Sequence, residues 1–452
     1  MNYMRFRLLL SREKLKWLIP LGLIMFGIII RGQNLFHGGF TFDTITCFYT
    51  WGKTAYDQGF RGFWQYYMEW MDYLPGAIYY LMGIYRVSLL GGGTEQAFVT
   101  TLKVFNCFFD VIISVGIYYL MILARKDQFK AVLVAGLFWI LPANWFISGV
   151  WGQIDSVVMG LIVISLVLLF VSHQKNSQFA IVFAGILFAI SFWIKLQAFL
   201  FFPIIGLFFI MINNWKLCRR FIAGFILTSV IIIIPAMATN SLRLGMNLLA
   251  PFTRQDRLSR SASDFWVFIN SNFDSSQRVI SQLPITYEIV AVTVFTLIVL
   301  GLLLYKLKYI GWKKFDFTIL LFWGVLFLFS YFIFMPKMYE RYLYPGLVLL
   351  FVLIPFVKSS WHQLVVIIGA MIASIGSFIN LIDVYHYWNY TTPEWVSDLW
   401  NIIPFNQFRL AAGIILLSYL ILIVIYLKLP NPKSLKDLLR AQRSGKYLPR
   451  QQ

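Results

Sequence analysis

Long apolar runs recur along this chain from residue 17 to residue 426. Most of them are close to the roughly 20 residues that cross a bilayer as an α-helix. Of the 452 residues, 60% are hydrophobic and 13% are charged, whereas a soluble domain carries about a quarter charged residues. The sequence therefore predicts an all-α integral membrane protein, a multispan bundle of about 12 transmembrane helices.

The predicted spans are 17–30, 101–124, 131–147, 156–171, 179–193, 200–211, 221–237, 286–304, 317–334, 343–356, 364–382 and 410–426. Two of these runs, 200–211 and 343–356, are short enough to be half-spans or tilted pieces. We therefore expect 11 to 13 spans.

The net charge of +19 is distributed unevenly between the two sides of the membrane. If the N-terminus is cytoplasmic, the predicted cytoplasmic segments hold 24 of the 38 basic residues and 4 of the 19 acidic ones. The positive-inside rule expects this asymmetry, so both termini are predicted to be cytoplasmic. We expect the basic tail, residues 429–452, to lie against anionic membrane lipids. No nucleic-acid partner is needed to explain the charge.

The predicted extracytoplasmic loops are long. Residues 1–428 are expected to form one transmembrane catalytic domain, with outer loops at 31–100, 239–285 and 383–409. Long loops usually carry function. In the first of them, apolar residues at helical spacing predict two amphipathic helices that lie on the membrane. A bacterial plasma membrane is the expected location, and the endoplasmic reticulum remains an alternative.

Four acidic residues are candidates for chemistry because they are predicted to lie at or near membrane depth. Asp110 has a structural alternative, contact with a neighbouring helix inside the bundle. Asp155 has another, since an acid at a helix N-terminus complements the helix dipole. Asp43 is the leading candidate because capping a helix does not require an Asp at that position. Asp72 and Asp155 rank second.

Few basic residues are expected on the outer side. Lys195 and Arg341 lie at the predicted outer ends of spans, where the positive-inside rule disfavours cations. Such side chains either bind an anionic ligand or extend to lipid headgroups. Arg257 lies between Arg254 and Arg260 at helical spacing, and this group either neutralises nearby acids or meets a phosphate.

Several short motifs follow one another in a fixed order over about three quarters of the chain. They are Asp43 with Tyr49 and Trp51, Asp72-Tyr73-Leu74-Pro75-Gly76, Trp151-Gly152-Gln153-Ile154-Asp155, Lys195-Leu196-Gln197-Ala198 and Glu340-Arg341-Tyr342-Leu343-Tyr344-Pro345. With the expected topology, this set resembles the multispan glycosyltransferases of the GT-C type. The most similar group contains the second mannosyltransferase of GPI-anchor assembly and its bacterial relatives. Tyr339 stands where relatives have a His, so no His role is expected at that step.

The resemblance implies an inverting transfer of one sugar from a polyprenyl-phosphate donor to a lipid- or envelope-linked glycan, on the extracytoplasmic face. It implies that Asp43 is the general base. Cations must hold the departing phosphate, and Lys195, Arg341 and Arg257 are the candidates. The residues expected to contact substrate are Tyr49, Trp51, Tyr73, Trp151, Gln153, Gln197, Glu340 and Tyr342. For the aromatic members, a place in the lipid-interface belt is the alternative.

Two other functions stay open at this point. A polysaccharide polymerase or ligase should have a large late loop with arginines, which 239–285 partly provides. A transporter or flippase for lipid-linked sugars should show inverted repeats, which the sequence lacks. No cofactor is expected, although Asp43 and Asp155 could share a divalent cation with phosphate oxygens. The sequence contains no Gly-rich phosphate-binding motif, which disfavours a nucleotide-sugar donor.

Overall fold

The computed structural model describes residues 16–36, 41–66, 71, 73–125, 127–253, 257–259, 261–269, 274–279, 284–311, 316–388, 392–403 and 407–429. Within these ranges the chain is helical, without a β-strand and with three isolated β-bridges. The predicted all-α class is therefore confirmed.

Sixteen α-helices occur in the described ranges, joined at several places by π-helical or 3-10 turns. They are α1 (Leu18–Phe36), α2 (Thr50–Tyr66), α3 (Pro75–Ser88), α4 (Glu95–Arg125), α5 (Gln128–Trp139), α6 (Pro142–Trp145), α7 (Asp155–Lys175), α8 (Gln178–Ile194), α9 (Phe202–Ile212), α10 (Trp215–Thr253), α11 (Tyr287–Ile310), α12 (Phe317–Phe334), α13 (Tyr344–Leu353), α14 (Ser360–Trp388), α15 (Glu394–Ile402) and α16 (Gln407–Lys428).

Eight of the described helices are long and apolar enough to cross a membrane, namely α1, α4, α7, α10, α11, α12, α14 and α16. A ninth span results if α5 and the segment Pro142–Trp151, which are bent by 54°, count as one. The bend falls at Pro142, whose missing N–H interrupts the helical hydrogen bonds. The chain is thus a multi-pass helical membrane protein. The three remaining predicted spans coincide with the short helices α8, α9 and α13, so the count of 12 stays a prediction.

Two glycines bring α8 and α10 into close contact. A Cβ atom at Gly185 would lie 2.2 Å from the carbonyl oxygen of Phe221, and one at Gly224 would lie 2.4 Å from that of Val182. Small residues at a helix crossing let two backbones approach, which is the usual basis of helix association in membranes. This contact fixes α8, whose last residue directly precedes Lys195.

One end of the bundle, here named the loop face, carries the described residues of the segments 37–94, 254–286 and 389–406. The segment 37–94 contains a π-helix at Phe42–Tyr49, followed by α2 and α3. Apolar side chains of these elements, including Phe48, Trp51 and Leu81, are buried in the protein core. Their contact with a membrane surface stays a prediction.

Helix α10 holds the segment 37–94 in place. Its backbone leaves the helical conformation at Asn240 (φ −155°, ψ 87°), and the Asn240 carbonyl accepts a 3.2 Å hydrogen bond from the Trp64 indole. Beyond the break, Arg243 donates to the Trp64 carbonyl at 2.9 Å and Asn247 donates to the Tyr73 carbonyl at 2.8 Å. These contacts hold the end of α2 and Tyr73 in place. Helix α3 lies beside the end of α8, since a Cβ atom at Gly76 would lie 2.6 Å from the Trp193 carbonyl.

Replacing Gly185 by Leu should destabilise the protein by on the order of 1–3 kcal/mol, because the new side chain would clash with a backbone carbonyl that cannot move alone. SDS-titration unfolding in mixed micelles measures the change. Gly206→Leu is the matched control, since Gly206 lies on the next helix with nothing within 4 Å of its Cβ position. Equal stability of both variants would contradict the close contact of α8 and α10.

Candidate functional site

Asp43, Gln153 and Arg341 meet at the loop face although they are far apart in sequence. The Gln153 amide donates to Asp43 Oδ2 at 2.5 Å, and Arg341 Nη1 lies 3.6 Å from the same oxygen. Gln153 is fully buried, whereas 31% of the Asp43 side chain remains exposed. The carboxylate is therefore oriented by one hydrogen bond and one ion pair, and it is still partly accessible to solvent.

A capped helix start places Asp43. Thr41 is extended and its hydroxyl accepts the N–H of Thr44 at 3.0 Å, while the Thr44 hydroxyl accepts the N–H of Thr41 at 3.1 Å. This reciprocal capping box satisfies N–H groups that have no partner within the helix. Asp43 thus sits in the first turn of the π-helix, where the helix dipole favours a negative charge.

Gly152 sets the direction of Gln153. Its backbone is left-handed (φ +78°, ψ 26°), a conformation that favours glycine. A Cβ atom there would also lie 3.2 Å from the Thr44 side chain. The turn lets the Gln153 N–H bond the Ile147 carbonyl at 3.0 Å and brings the amide side chain under the π-helix that carries Asp43.

Arg341 shares its charge between two carboxylates. Its Nη1 lies 2.6 Å from Glu340 Oε1, in addition to the contact with Asp43. Burial raises the pKa of Glu340 above its ordinary value, and the guanidinium opposes part of this shift. For Arg341, burial alone would lower the pKa, but the carboxylates of Glu340 and Asp43 outweigh it and raise the pKa well above the ordinary value. Arg341 is therefore a permanent positive charge.

Lys195 and Asp155 form a second ion pair beside the first. Asp155 begins α7, and Lys195 lies in extended backbone at the end of α8. Lys195 Nζ is 2.7 Å from Asp155 Oδ1, and their side chains are 10% and 0% exposed. The Lys195 ammonium also lies 5.9 Å from the centre of the Tyr342 ring. Both pairs are close enough for their charges to interact.

Several buried polar atoms around the two ion pairs have no hydrogen-bond partner among the described residues. Three are donors: Trp151 Nε1, Gln197 Nε2 and Arg341 Nε. Two are acceptors: Gln153 Oε1 and Asp155 Oδ2. Because buried polar groups in native proteins are nearly always paired, such a concentration points to a bound ligand or water. Trp151 belongs to the same group, since the guanidinium of Arg341 lies 5.8 Å from its ring centre.

Other predicted substrate residues lie in the aromatic packing behind the site. Trp51 and Tyr73 pack against each other with ring centres 5.6 Å apart, and both contact Phe48. Tyr73 is near enough to Arg341 to contribute to the raised pKa of the guanidinium. Tyr49 packs between Tyr85 and Phe98. Trp51 and Tyr49 therefore support the π-helix of Asp43 in this structure.

For two predicted site residues, the structure shows no place in this group. Arg257 is exposed and forms a β-bridge with Asp274, and no described contact joins it to the two ion pairs. Asp72 lies outside the described residues. No group of three or more His, Cys, Asp or Glu residues that could hold a metal ion occurs in the described part of the chain.

Sequence reasoning missed the partner of Asp110. Arg31 Nη2 lies 3.0 Å from Asp110 Oδ2, and Ser148 donates to the same oxygen at 2.5 Å. The Tyr344 hydroxyl lies 3.4 Å from the other oxygen and 3.0 Å from Asn144 Oδ1. Of the two interpretations of Asp110, the structural one fits these contacts. The only available signal was a basic residue directly after the first apolar run, and its partner lies 79 positions later.

Buried Lys103 was also missed. Its ammonium donates to the Asn34 carbonyl at 3.3 Å, and its stem lies next to the Cβ position of Gly152. The residue supports the turn that carries Gln153.

No protein-family model matches this chain, and no curated protein matches it either. What is established is a multi-pass helical membrane protein with two coupled ion pairs at one end of its bundle.

Breaking the buried Lys195–Asp155 pair should cost far more than breaking an exposed pair. Lys195→Met and Asp155→Asn each leave a group without its partner and should each destabilise the protein by about 3–5 kcal/mol, whereas the double variant should lose less than the sum. SDS-titration unfolding of the two single variants and the double variant measures the coupling. The Lys53–Asp57 pair on α2, with side chains 45% and 47% exposed, is the control and should show little coupling. Additive effects at Lys195 and Asp155 would contradict a buried ion pair.

Proposed function

We propose that this protein is an inverting glycosyltransferase of the GT-C type, which moves one sugar from a polyprenyl-phosphate-linked donor to a lipid- or cell-envelope-linked glycan acceptor. The observation that carries the proposal is the accessible carboxylate of Asp43, held by Gln153 and Arg341 next to the Lys195–Asp155 pair. Four of the sequence motifs that resemble this class contribute residues to that one place. A carboxylate beside two fixed cations is the arrangement that this transfer needs.

In the proposed reaction, Asp43 acts as the general base. Its carboxylate takes the proton of an acceptor hydroxyl while that oxygen attacks the anomeric carbon from the face opposite the phosphate. The bond between the anomeric carbon and the phosphate oxygen breaks, and its electron pair leaves with the polyprenyl phosphate. The product therefore has inverted configuration. General base catalysis of this kind contributes typically about 10²- to 10⁴-fold.

Arg341 and Lys195 are proposed to hold the donor phosphate. Fixed cations act most strongly on developing charge where water is scarce, and the side chains of Lys195 and Arg341 are 10% and 13% exposed. The unpaired N–H groups of Gln197, Trp151 and Arg341 add donors for phosphate oxygens. When phosphate attracts the guanidinium, Asp43 loses a competing partner and is free to accept a proton. Donor binding would thus precede activation of the base.

The proposed topology places this site on the extracytoplasmic side. It has 12 spans, with α8, α9 and α13 crossing together with the nine longer elements. Both termini are cytoplasmic, and the basic tail lies on anionic lipid, most simply in a bacterial plasma membrane. The length of the loop-face segments and the basic residues on the opposite side support this orientation.

Asp43→Asn should abolish sugar transfer, with a loss of about 10²-fold or more, because an amide cannot take the hydroxyl proton. Transfer from a polyprenyl-phosphate sugar, measured with the purified protein in nanodiscs, tests this. Donor affinity should be equal to or higher than that of the wild type, since the substitution removes a negative charge that competes for Arg341. Asp57→Asn, an exposed acid of α2, is the control. Full activity of the Asp43 variant would exclude it as the base.

Arg341→Gln should weaken donor binding by about 10- to 100-fold, the loss expected for hydrogen bonds to a charged group. Equilibrium binding of a polyprenyl-phosphate sugar, at low and high salt, measures the effect. Lys53→Gln serves as a control for the removal of one positive charge from the loop face, because Lys53 is exposed and its ion pair in the described part of the chain is with Asp57. Unchanged affinity of the Arg341 variant would rule out its role at the phosphate.

A further inference from the structure

A second group of unpaired polar atoms lies where three segments of the loop face meet. These segments are residues 261–269, the end of α14, and α15 with the start of α16. The buried atoms without a hydrogen-bond partner in the described chain are Ser263 Oγ, Asp264 Oδ2, Asp383 Oδ2, His386 Nδ1 and Gln407 Oε1. This group is here named the outer seam. None of these residues belongs to the Asp43 site.

Hydrogen bonds tie the outer seam together. The Ser263 N–H donates to Asn380 Oδ1 at 2.8 Å, one helical turn before Asp383 on α14. The Trp400 indole donates to Asp383 Oδ1 at 3.0 Å, and the Gln407 amide donates to the Trp400 carbonyl at 3.1 Å. These hydrogen bonds join the three segments of the outer seam.

The chemistry of the outer seam is opposite to that of the Asp43 site. Around Arg341, unpaired N–H donors predominate, whereas in the outer seam the carboxylate and amide oxygens of Asp264, Asp383 and Gln407 are acceptors. Asp383 is only 4% exposed, so leaving one of its oxygens unpaired costs free energy unless a ligand donates to it. The complementary ligand carries several neutral donors, and a row of sugar hydroxyls is such a ligand.

The aromatic residues nearby favour a glycan over a cation. His386 stacks on Trp400 with ring centres 4.2 Å apart, and the Trp395 ring lies on the same short helix. Apolar walls with a few placed polar groups are typical of sites for organic ligands. A calcium ion would need six to eight oxygen ligands at roughly 2.3–2.6 Å, and no such acidic group converges among the described residues.

Ring contacts connect the outer seam to the catalytic region. Tyr385, two residues after Asp383, packs against Trp151 with ring centres 5.5 Å apart. Trp151 in turn lies under the guanidinium of Arg341. Both rings are buried, so their contact fixes the position of the outer seam relative to the Asp43 site.

We infer that the outer seam binds the acceptor glycan, as a neutral oligosaccharide whose hydroxyls donate to Asp383, Asp264 and Gln407. This inference rests on the proposed function, because it names the substrate that the second site would hold. It assigns recognition of the acceptor to residues remote from the transferred sugar. Asp383 would then act in binding and not in proton transfer.

The test is direct binding to a printed array of neutral mannose, glucose and galactose oligosaccharides, with the purified full-length protein in nanodiscs and no donor present. The wild type should bind at least one of these series. Asp383→Asn should weaken that binding by about tenfold or more, because its oxygen must stay on the Trp400 N–H and an NH₂ group then faces the hydroxyl. Ser263→Ala, a smaller change, should weaken binding in the same direction.

Two control variants separate this inference from the proposed function. Asp398→Asn, an exposed acid on α15, should bind the array like the wild type. Asp43→Asn should also bind the array normally while losing transfer. A wild-type protein that binds the array but transfers no sugar would contradict the enzyme proposal alone. Failure of the wild type to bind any array oligosaccharide would overturn the inference. So would unchanged binding of both the Asp383 and Ser263 variants in monodisperse form. If calcium raised the thermal stability of the wild type but not of Asp383→Asn, the ligand of the outer seam would be a cation and not a glycan.

Discussion

The geometry of the site depends on the contacts that the buried Asp110 carboxylate makes. One of its oxygens is held by Arg31 of α1 and by Ser148, and the other lies 3.4 Å from the hydroxyl of Tyr344, which also contacts Asn144 at 3.0 Å. Ser148 lies three positions before Trp151, and Tyr344 lies three positions after Arg341. One buried acid thus sets the two chain segments that supply Gln153 and Arg341. Removing its cation would leave an uncompensated charge inside the bundle, which typically costs about 3–5 kcal/mol.

Paired charges at the loop face serve both stability and the proposed chemistry. Lys195 and Arg341 would be too costly to bury alone, and the carboxylates of Asp155, Glu340 and Asp43 compensate them. A phosphate can replace such a carboxylate without leaving a cation unpaired. In the proposed function, the same groups that let the chain fold also form the phosphate site.

Much of the fold follows from local patterns. Apolar runs of bilayer length are sufficient to predict α4, α7, α10 and α14, because a chain in lipid must satisfy its backbone within each span. The shorter helices α8, α9 and α13 are harder to classify, since their length alone does not decide whether they cross. The helices also continue past the apolar runs into polar sequence, as α10 does as far as Thr253.

The candidate site is partly readable from the sequence. Asp43, Gln153, Asp155, Lys195 and Arg341 stand out because polar residues at the ends of apolar runs need a reason, and the structure brings them together. Arg31 and Lys103 could not be assigned partners, because their contacts join residues 79 and 69 positions apart. The outer seam was equally hidden, since its serine, amide and acids look like ordinary loop residues until three segments meet.

The break in α10 at Asn240 divides that helix into a long apolar part before it and a short part after it. In the short part, Arg243 donates a hydrogen bond to the end of α2 and Asn247 donates one to the Tyr73 backbone. If the long part tilts in the bilayer, the short part does not have to move with it, because the helical conformation is interrupted at Asn240. Tyr73 and the end of α2 can therefore keep their positions beside the site when the membrane-spanning part of α10 moves.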